Sequence, residues 1–114
     1  MGAAFTQMGD IARARDSYAK ALAQNPDNGP ALVGSGLLAQ RDGDLAAAIE
    51  QISHAMRVQP NDVGYLLLEQ ALRRSGRIAE ASDAGVRAQE ISRDFARAQQ
   101  SAAQVLASVG IGPE

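Results

Sequence analysis

Residues 43–60 read GDLAAAIEQISHAMRVQP, and variants of this stretch occur before and after it in the chain. An earlier copy, GDIARARDSYAKALAQNP, fills residues 9–26, and a later copy, GRIAEASDAGVRAQEIS, begins at residue 76. Matching glycine, alanine and proline positions lie 34 residues apart in the first two copies, and matching glycine and alanine positions lie 33 apart in the last two. A fixed period of this length is typical of a stacked-repeat protein.

Each copy continues from a glycine turn into apolar residues spaced three or four apart, which is the spacing of one face of a helix. Acidic and hydroxyl residues that suit helix N-caps stand at Asp10, Asp44 and Ser92. Residues 1–7 are interpreted as the end of a helix that Gly9 terminates, with an apolar stripe at Met1, Gly2 and Phe5. The predicted helices then cover residues 11–24, 30–41, 45–57, 62–75, 78–91 and 93–108. Because no proline separates the last two, one unbroken helix over 78–109 remains an alternative.

These elements predict an all-α chain organised in repeats. Residues 1–28 form a partial first repeat, 29–62 a second and 63–93 a third, followed by a capping helix over 94–109 and a tail over 110–114. The incomplete first repeat favours the interpretation that an upstream segment has been cut away. It also leaves the apolar face of residues 11–24 uncovered, which predicts a possible homodimer through the N-terminal end that light scattering would detect.

The composition excludes several function classes. A net charge of −2 gives no reason to expect nucleic acid or an anionic membrane as a partner. The chain contains no cysteine, so disulfides, thiolate metal sites and a cysteine nucleophile are excluded. No apolar run approaches the roughly 20 residues of a membrane span, which predicts no membrane insertion. The first residues do not form a signal peptide; we expect a soluble chain, cytoplasmic by default, although an exported parent protein remains open.

The residues that could carry chemistry have no suitable context. His54 is the only histidine, and with no cysteine a zinc site is not expected; its position indicates a solvated surface residue. Asp42 and Asp44 flank a glycine but lack the spacing and closing glutamate of a calcium loop. Neither a phosphate-binding glycine loop nor a nucleophile elbow occurs. The sequence therefore predicts no catalytic residues, no metal and no cofactor, and the chain is not expected to be an enzyme.

The repeat pattern resembles the tetratricopeptide repeat family over residues 1–93. The period, the glycine between paired helices, the small residues of the second helix and the closing proline carry this resemblance. The middle copy matches best, at Gly36, Gly43, Asp44, Ala48, Ile52, Ala55 and Pro60. The resemblance implies a right-handed superhelix of antiparallel helix pairs, an α-solenoid whose first helices line a concave groove for peptides or partner helices.

The third copy departs from the family pattern in its second helix. The bulky site that holds Tyr18 and Ile52 in the earlier copies is Gly85 here, and Arg93 replaces the closing proline. Both changes fit a terminal repeat that hands over to a capping helix. The loss of a core side chain at Gly85 predicts that the last helix fills the gap, through Phe95.

Residues that match the concave side of the first helices form the predicted binding groove. They provide an aliphatic floor with arginines at one end, which suits an amphipathic helix or extended segment with an acidic flank. Positions where some family members grip a terminal carboxylate hold no Lys, Asn or Arg, so that clamp is absent. The predicted groove residues are Val33, Leu37, Arg41, Val63, Leu66, Leu67, Gln70, Arg73 and Arg74.

The leading function is a non-catalytic module that binds a protein or peptide partner, as part of a larger protein or assembly. Self-association, or a docking domain fused to an enzyme outside this chain, are the alternatives. Leu67→Asp is predicted to abolish partner capture while helicity stays intact; collapse of helicity would instead place Leu67 in the core. Whether the last helix covers the groove or only caps the end stays open.

Overall fold

A computed structural model describes residues 2–111, with side chains from residue 10 onward. These residues form helices and no strands, which confirms the predicted all-α repeat architecture for the described part of the chain. Successive helices pack on one another from α1 to α5, and the last helix returns to pack on α4. The helices are α1 (Gly2–Gln24), α2 (Gly29–Arg41), α3 (Leu45–Val58), α4 (Asp62–Arg74), α5 (Ile78–Ile91) and α6 (Phe95–Ser108).

Glycine turns close both helix pairs. Gly43 follows α2 with φ of 91°, and Gly76 follows α4 with φ of 85°. Residues with a side chain rarely adopt such angles, so glycine is the usual residue after a helix end. Each glycine N–H donates to a carbonyl three residues earlier, at 3.0 Å from Gly43 and 3.1 Å from Gly76. The two hairpins therefore turn with the same local geometry.

Side-chain caps begin most of the helices. The carboxylate of Asp44 accepts a hydrogen bond from the backbone N–H of the third residue after it at 3.0 Å, as predicted. Asn28 and Asn61 cap α2 and α4 in the same way, at 3.1 Å and 2.7 Å. The predicted cap at Ser92 is wrong, because Asp94 caps α6 and the helix begins two residues later than expected.

The predicted helix end at Gly9 is also wrong, since α1 is continuous from Gly2 to Gln24. A break would create two new helix ends with unpaired backbone groups, whereas an interior glycine costs only about 1 kcal/mol. Asp10 therefore lies inside the helix, with a carboxylate oxygen 3.9 Å from a guanidinium nitrogen of Arg13. The stripe predicted at Met1, Gly2 and Phe5 lies outside the described side chains.

The alternative of one helix over residues 78–109 is wrong, because the chain is extended between α5 and α6. Ser92 has φ of −81° and ψ of 134°, and α5 ends before it. Its hydroxyl donates to the carboxylate of Asp62 at the start of α4, with an oxygen–oxygen distance of 2.7 Å. This contact and the Asp94 cap stabilise the break, which directs α6 along α4.

Small residues allow α2 and α3 to lie close together, as the repeat pattern predicts. A Cβ atom added to Gly36 would lie 2.7 Å from the Cγ1 atom of Ile52 and 3.2 Å from the carbonyl oxygen of Ala48. Ala48, Ile52 and Ala55 are fully buried. The two helices therefore pack at a distance that only glycine and alanine permit.

The gap at Gly85 is not filled by Phe95, so that prediction is wrong. The side chain closest to Gly85 is the carboxylate of Glu69, which extends across from α4. A glutamate is long enough to cross this space, and its carboxylate also accepts a hydrogen bond from Arg73 at 2.9 Å. Phe95 instead packs, half-buried, against the core.

The ion pair between α1 and the end of α2 predicts a small dependence of stability on acid. A guanidinium nitrogen of Arg15 lies 2.8 Å from a carboxylate oxygen of Asp42, and this hydrogen bond lowers the pKa of Asp42 below its ordinary 3.8. A lowered folded-state pKa stabilises the fold above the unfolded value, and this contribution is lost as pH falls through the folded value. We expect NMR titration to find the carboxyl pKa below 3.8 in the wild type and closer to it in Arg15→Gln. Equal values in both chains would contradict the pairing.

Candidate functional site

A cleft of about 330 Å³ opens between α2 and α4. Four predicted groove residues line it, Val33 and Leu37 from α2 and Val63 and Leu67 from α4. Apolar side chains of α3 form part of the floor, and Val105 of α6 lies on one wall. The helices predicted to line a groove therefore do share an apolar, solvent-open space.

The predicted leucines are more deeply buried than a binding surface requires. Leu37, Leu66 and Leu67 are only 3%, 7% and 2% exposed. Val33 and Val63 are half-buried, so they are the more accessible aliphatic side chains of the predicted groove. The predicted Leu67→Asp variant is thus a test of the core, and we expect it to lose helicity.

Gln70, a predicted groove residue, pairs with Gln40 between α2 and α4. The Nε2 group of Gln40 donates to the Oε1 atom of Gln70. Gln40 is only 6% exposed. Within the described part of the chain, Gln40 Oε1 and Gln70 Nε2 are buried without a hydrogen-bond partner. Buried amides are normally paired, so this pair leaves one acceptor and one donor unused between α2 and α4.

The three predicted arginines are exposed at the C-terminal ends of α2 and α4. Arg73 forms an ion pair with Glu69, in which the nitrogen and oxygen atoms lie 2.9 Å apart. Arg74 is also in contact with another group of the chain. A Cβ atom on Gly110, just after α6, would lie 3.6 Å from the Nε atom of Arg41. The cationic end of the groove therefore meets the end of α6.

The last helix lies along α4 on the side predicted to bind a partner. Leu66 shares a second cleft, of about 280 Å³, with Ala102, Leu106 and Ile111. These residues belong to one core cluster. α6 begins beside the N-terminal end of α4, through the Ser92–Asp62 contact, and ends beside Arg41. It thus covers part of the predicted groove.

Sequence reasoning missed three contributors to the cleft. The ring of Tyr18 lies directly over Gly34, and Met56 lies over Gly64. Val105 of α6 borders the same cleft. The glycines within α2 and α4 were the available signal, because a glycine inside a helix often marks the close approach of a neighbour.

Other residues of types that can take part in catalysis or metal binding make structural contacts. The Nε2 atom of His54 lies 2.8 Å from a carboxylate oxygen of Asp27, which joins α3 to the turn before α2. Among the described residues, no group of three metal-ligating side chains lies together. No helix in this part of the chain is long and apolar enough to cross a membrane.

Comparison with known proteins agrees with the helical repeat. The family model described as tetratricopeptide repeat matches residues 5–72, which include α2, α3 and most of α4. No curated protein sequence matches the chain. The match spans more than half of the sequence and includes the glycine turn and the small residues that hold α2 against α3. The chain therefore belongs to the tetratricopeptide repeat family.

Proposed function

We propose that this chain binds an amphipathic helix of a protein partner in the cleft between α2 and α4. Tetratricopeptide repeats generally mediate protein–protein interaction and are typically non-catalytic. The observation that carries the proposal is the cleft itself, which is apolar, open and lined by Val33 and Val63 at its edge. Apolar side chains spaced along one face of a helix fit such a groove.

Exposed arginines beyond the cleft support an acidic flank on the partner. Arg41 and Arg73 are exposed at the C-terminal ends of α2 and α4. Surface ion pairs contribute little affinity, although they favour one orientation and accelerate association. We propose that the apolar contacts provide most of the affinity and the arginines set the direction of the bound helix.

Val63→Asp is the variant that tests this function without damage to the core. Val63 is half-buried in the first turn of α4, where a carboxylate suits the positive end of the helix dipole. The new charge would face the partner's apolar side chains without a counter-ion. We expect affinity for captured partners to fall at least about tenfold, which corresponds to about 1.4 kcal/mol.

The matched control is Val86→Asp, which makes the same substitution on α5 at a site 52% exposed and outside the cleft. Partners captured on immobilised wild-type chain should bind this control unchanged in quantitative titrations. Equal affinity of all captured proteins for the wild type and Val63→Asp would contradict groove binding.

A further inference from the structure

α6 contacts the concave side through small residues. Ala98, Ala102 and Leu106 are its buried positions, and they join Leu66 of α4 in one core cluster. In comparison, α3 contacts α4 with a larger side chain, Met56 against Gly64. The last helix therefore presents alanines where another helix of this fold presents a long apolar side chain.

Open spaces flank α6 on both sides. Val105 borders the cleft of about 330 Å³ that lies against α2 and α4. Ala102 and Leu106 border the other, of about 280 Å³, beside Leu66. Both clefts are open to solvent, and a longer apolar side chain that extends into either of them buries additional surface. α6 therefore leaves apolar surface of α2 and α4 exposed that a helix with larger side chains would cover.

The chain offers little surface for α6 anywhere else. A face of α3 packs against α4 through Met56, and the corresponding position 33 residues later in α5 is Gln89, which is exposed. The neighbouring Ile52 corresponds in the same way to Gly85. At these two positions α5 therefore lacks the large apolar side chains that α3 has, and α6 packs on α4 instead.

We infer that α6 is a displaceable occupant of the groove, and that the partner's helix takes its place. This inference rests on the proposed function. The partner helix carries larger side chains, Leu, Ile or Met, where α6 has Ala102 and Val105, so that it reaches further into both clefts. The extended Ser92–Asp94 segment is the hinge on which α6 leaves.

Synthetic peptides with the sequence of residues 93–111 test this exchange directly. One peptide has the native sequence and the other, the leucine peptide, carries Ala102→Leu and Val105→Leu. Because α6 is tethered to the chain, it competes with either peptide at a high effective concentration. The native peptide makes only the contacts that α6 already makes, so it should bind the full chain at least about tenfold more weakly than the leucine peptide. Fluorescence anisotropy of labelled peptides measures both affinities.

Leu106→Ala in the full chain weakens the packing of α6 against α4 and leaves the residues of α2, α3 and α4 unchanged. The state in which α6 has left α4 and the groove can bind a peptide becomes more populated. The apparent affinity for the leucine peptide should therefore rise about tenfold. Gln104→Ala, an exposed change on the same helix, is the control and should leave the affinity unchanged. Hydrogen exchange on the wild-type chain should show that peptide binding removes protection from α6 amides and keeps it in α2 and α3.

Equal affinity of the leucine peptide for the wild type and Leu106→Ala, with α6 still protected, overturns the exchange and leaves groove binding intact. Loss of binding in Val63→Asp then still identifies the cleft as the site. If Leu106→Ala does not fold, the wild-type exchange data decide. Amides of α6 that exchange only with global unfolding show that the helix is a permanent part of the core.

Discussion

Leu67→Asp is expected to unfold the chain. The Leu67 side chain is 2% exposed and lies within the core cluster of α4. Removal of its apolar atoms and burial of a carboxyl group together cost about 5 kcal/mol. Domains have a net stability of about 5–15 kcal/mol, so most of the margin is lost. Far-UV circular dichroism at increasing urea concentration measures the change.

Val63→Asp is the comparison for this experiment, because it introduces the same charge one turn earlier at a half-buried site. It should keep wild-type helicity and a midpoint close to that of the wild type. A Leu67→Asp chain that unfolds at the wild-type urea concentration would show that α4 is not packed as described, and would return Leu67 to the accessible groove.

Gly36→Ala is expected to destabilise the fold, although alanine is the better helix former. The added Cβ atom would lie 2.7 Å from Ile52 Cγ1 and 3.2 Å from the Ala48 carbonyl oxygen. A branched, fully buried side chain and a backbone atom have little room to move, so overpacking of about 1–3 kcal/mol outweighs the gain of about 1 kcal/mol in propensity. Thermal unfolding should show a lower Tm.

Gly34→Ala provides a matched glycine on the same helix. Its Cβ atom would meet the ring of Tyr18, a half-buried side chain of α1 that can rotate away. We expect a change of less than about 1 kcal/mol, of either sign, because the gain in propensity offsets the displaced ring. A Gly36→Ala chain as stable as Gly34→Ala would refute the close contact between α2 and α3.

Helix ends were predictable from the sequence where they depend on local backbone chemistry. Gly43, Gly76 and Asp44 act as expected, because a positive φ and a carboxylate cap need only their immediate neighbours. The same reasoning failed at Gly9 and Ser92, where the local signal was similar. At Ser92 the outcome depends on the contact with Asp62 of α4, which no local pattern records. At Gly9 the helix continues because one interior glycine costs less than two new helix ends.

The candidate site was predictable as a face but not in depth. Periodicity placed Val33, Leu37, Val63 and Leu67 together, and the structure lines one cleft with them. How deeply each lies depends on the surrounding helices, and the position of α6 among them could not be derived. The relevant signal was an absence, because α5 has Gly85 and Gln89 where α3 has large apolar side chains on which a helix can pack. This difference becomes visible only when whole repeats are compared.

The order in which helices meet along the chain bears on how the protein folds. From α1 to α5, every strong contact joins helices that are adjacent in sequence, and only α6 passes over its neighbour to reach α4. Short loops close rapidly and at low entropic cost, so the hairpins gain their structure first. A nascent chain would accordingly expose the side of α4 that α6 covers until α6 leaves the ribosome, and in that interval this surface is accessible to chaperones and to other proteins.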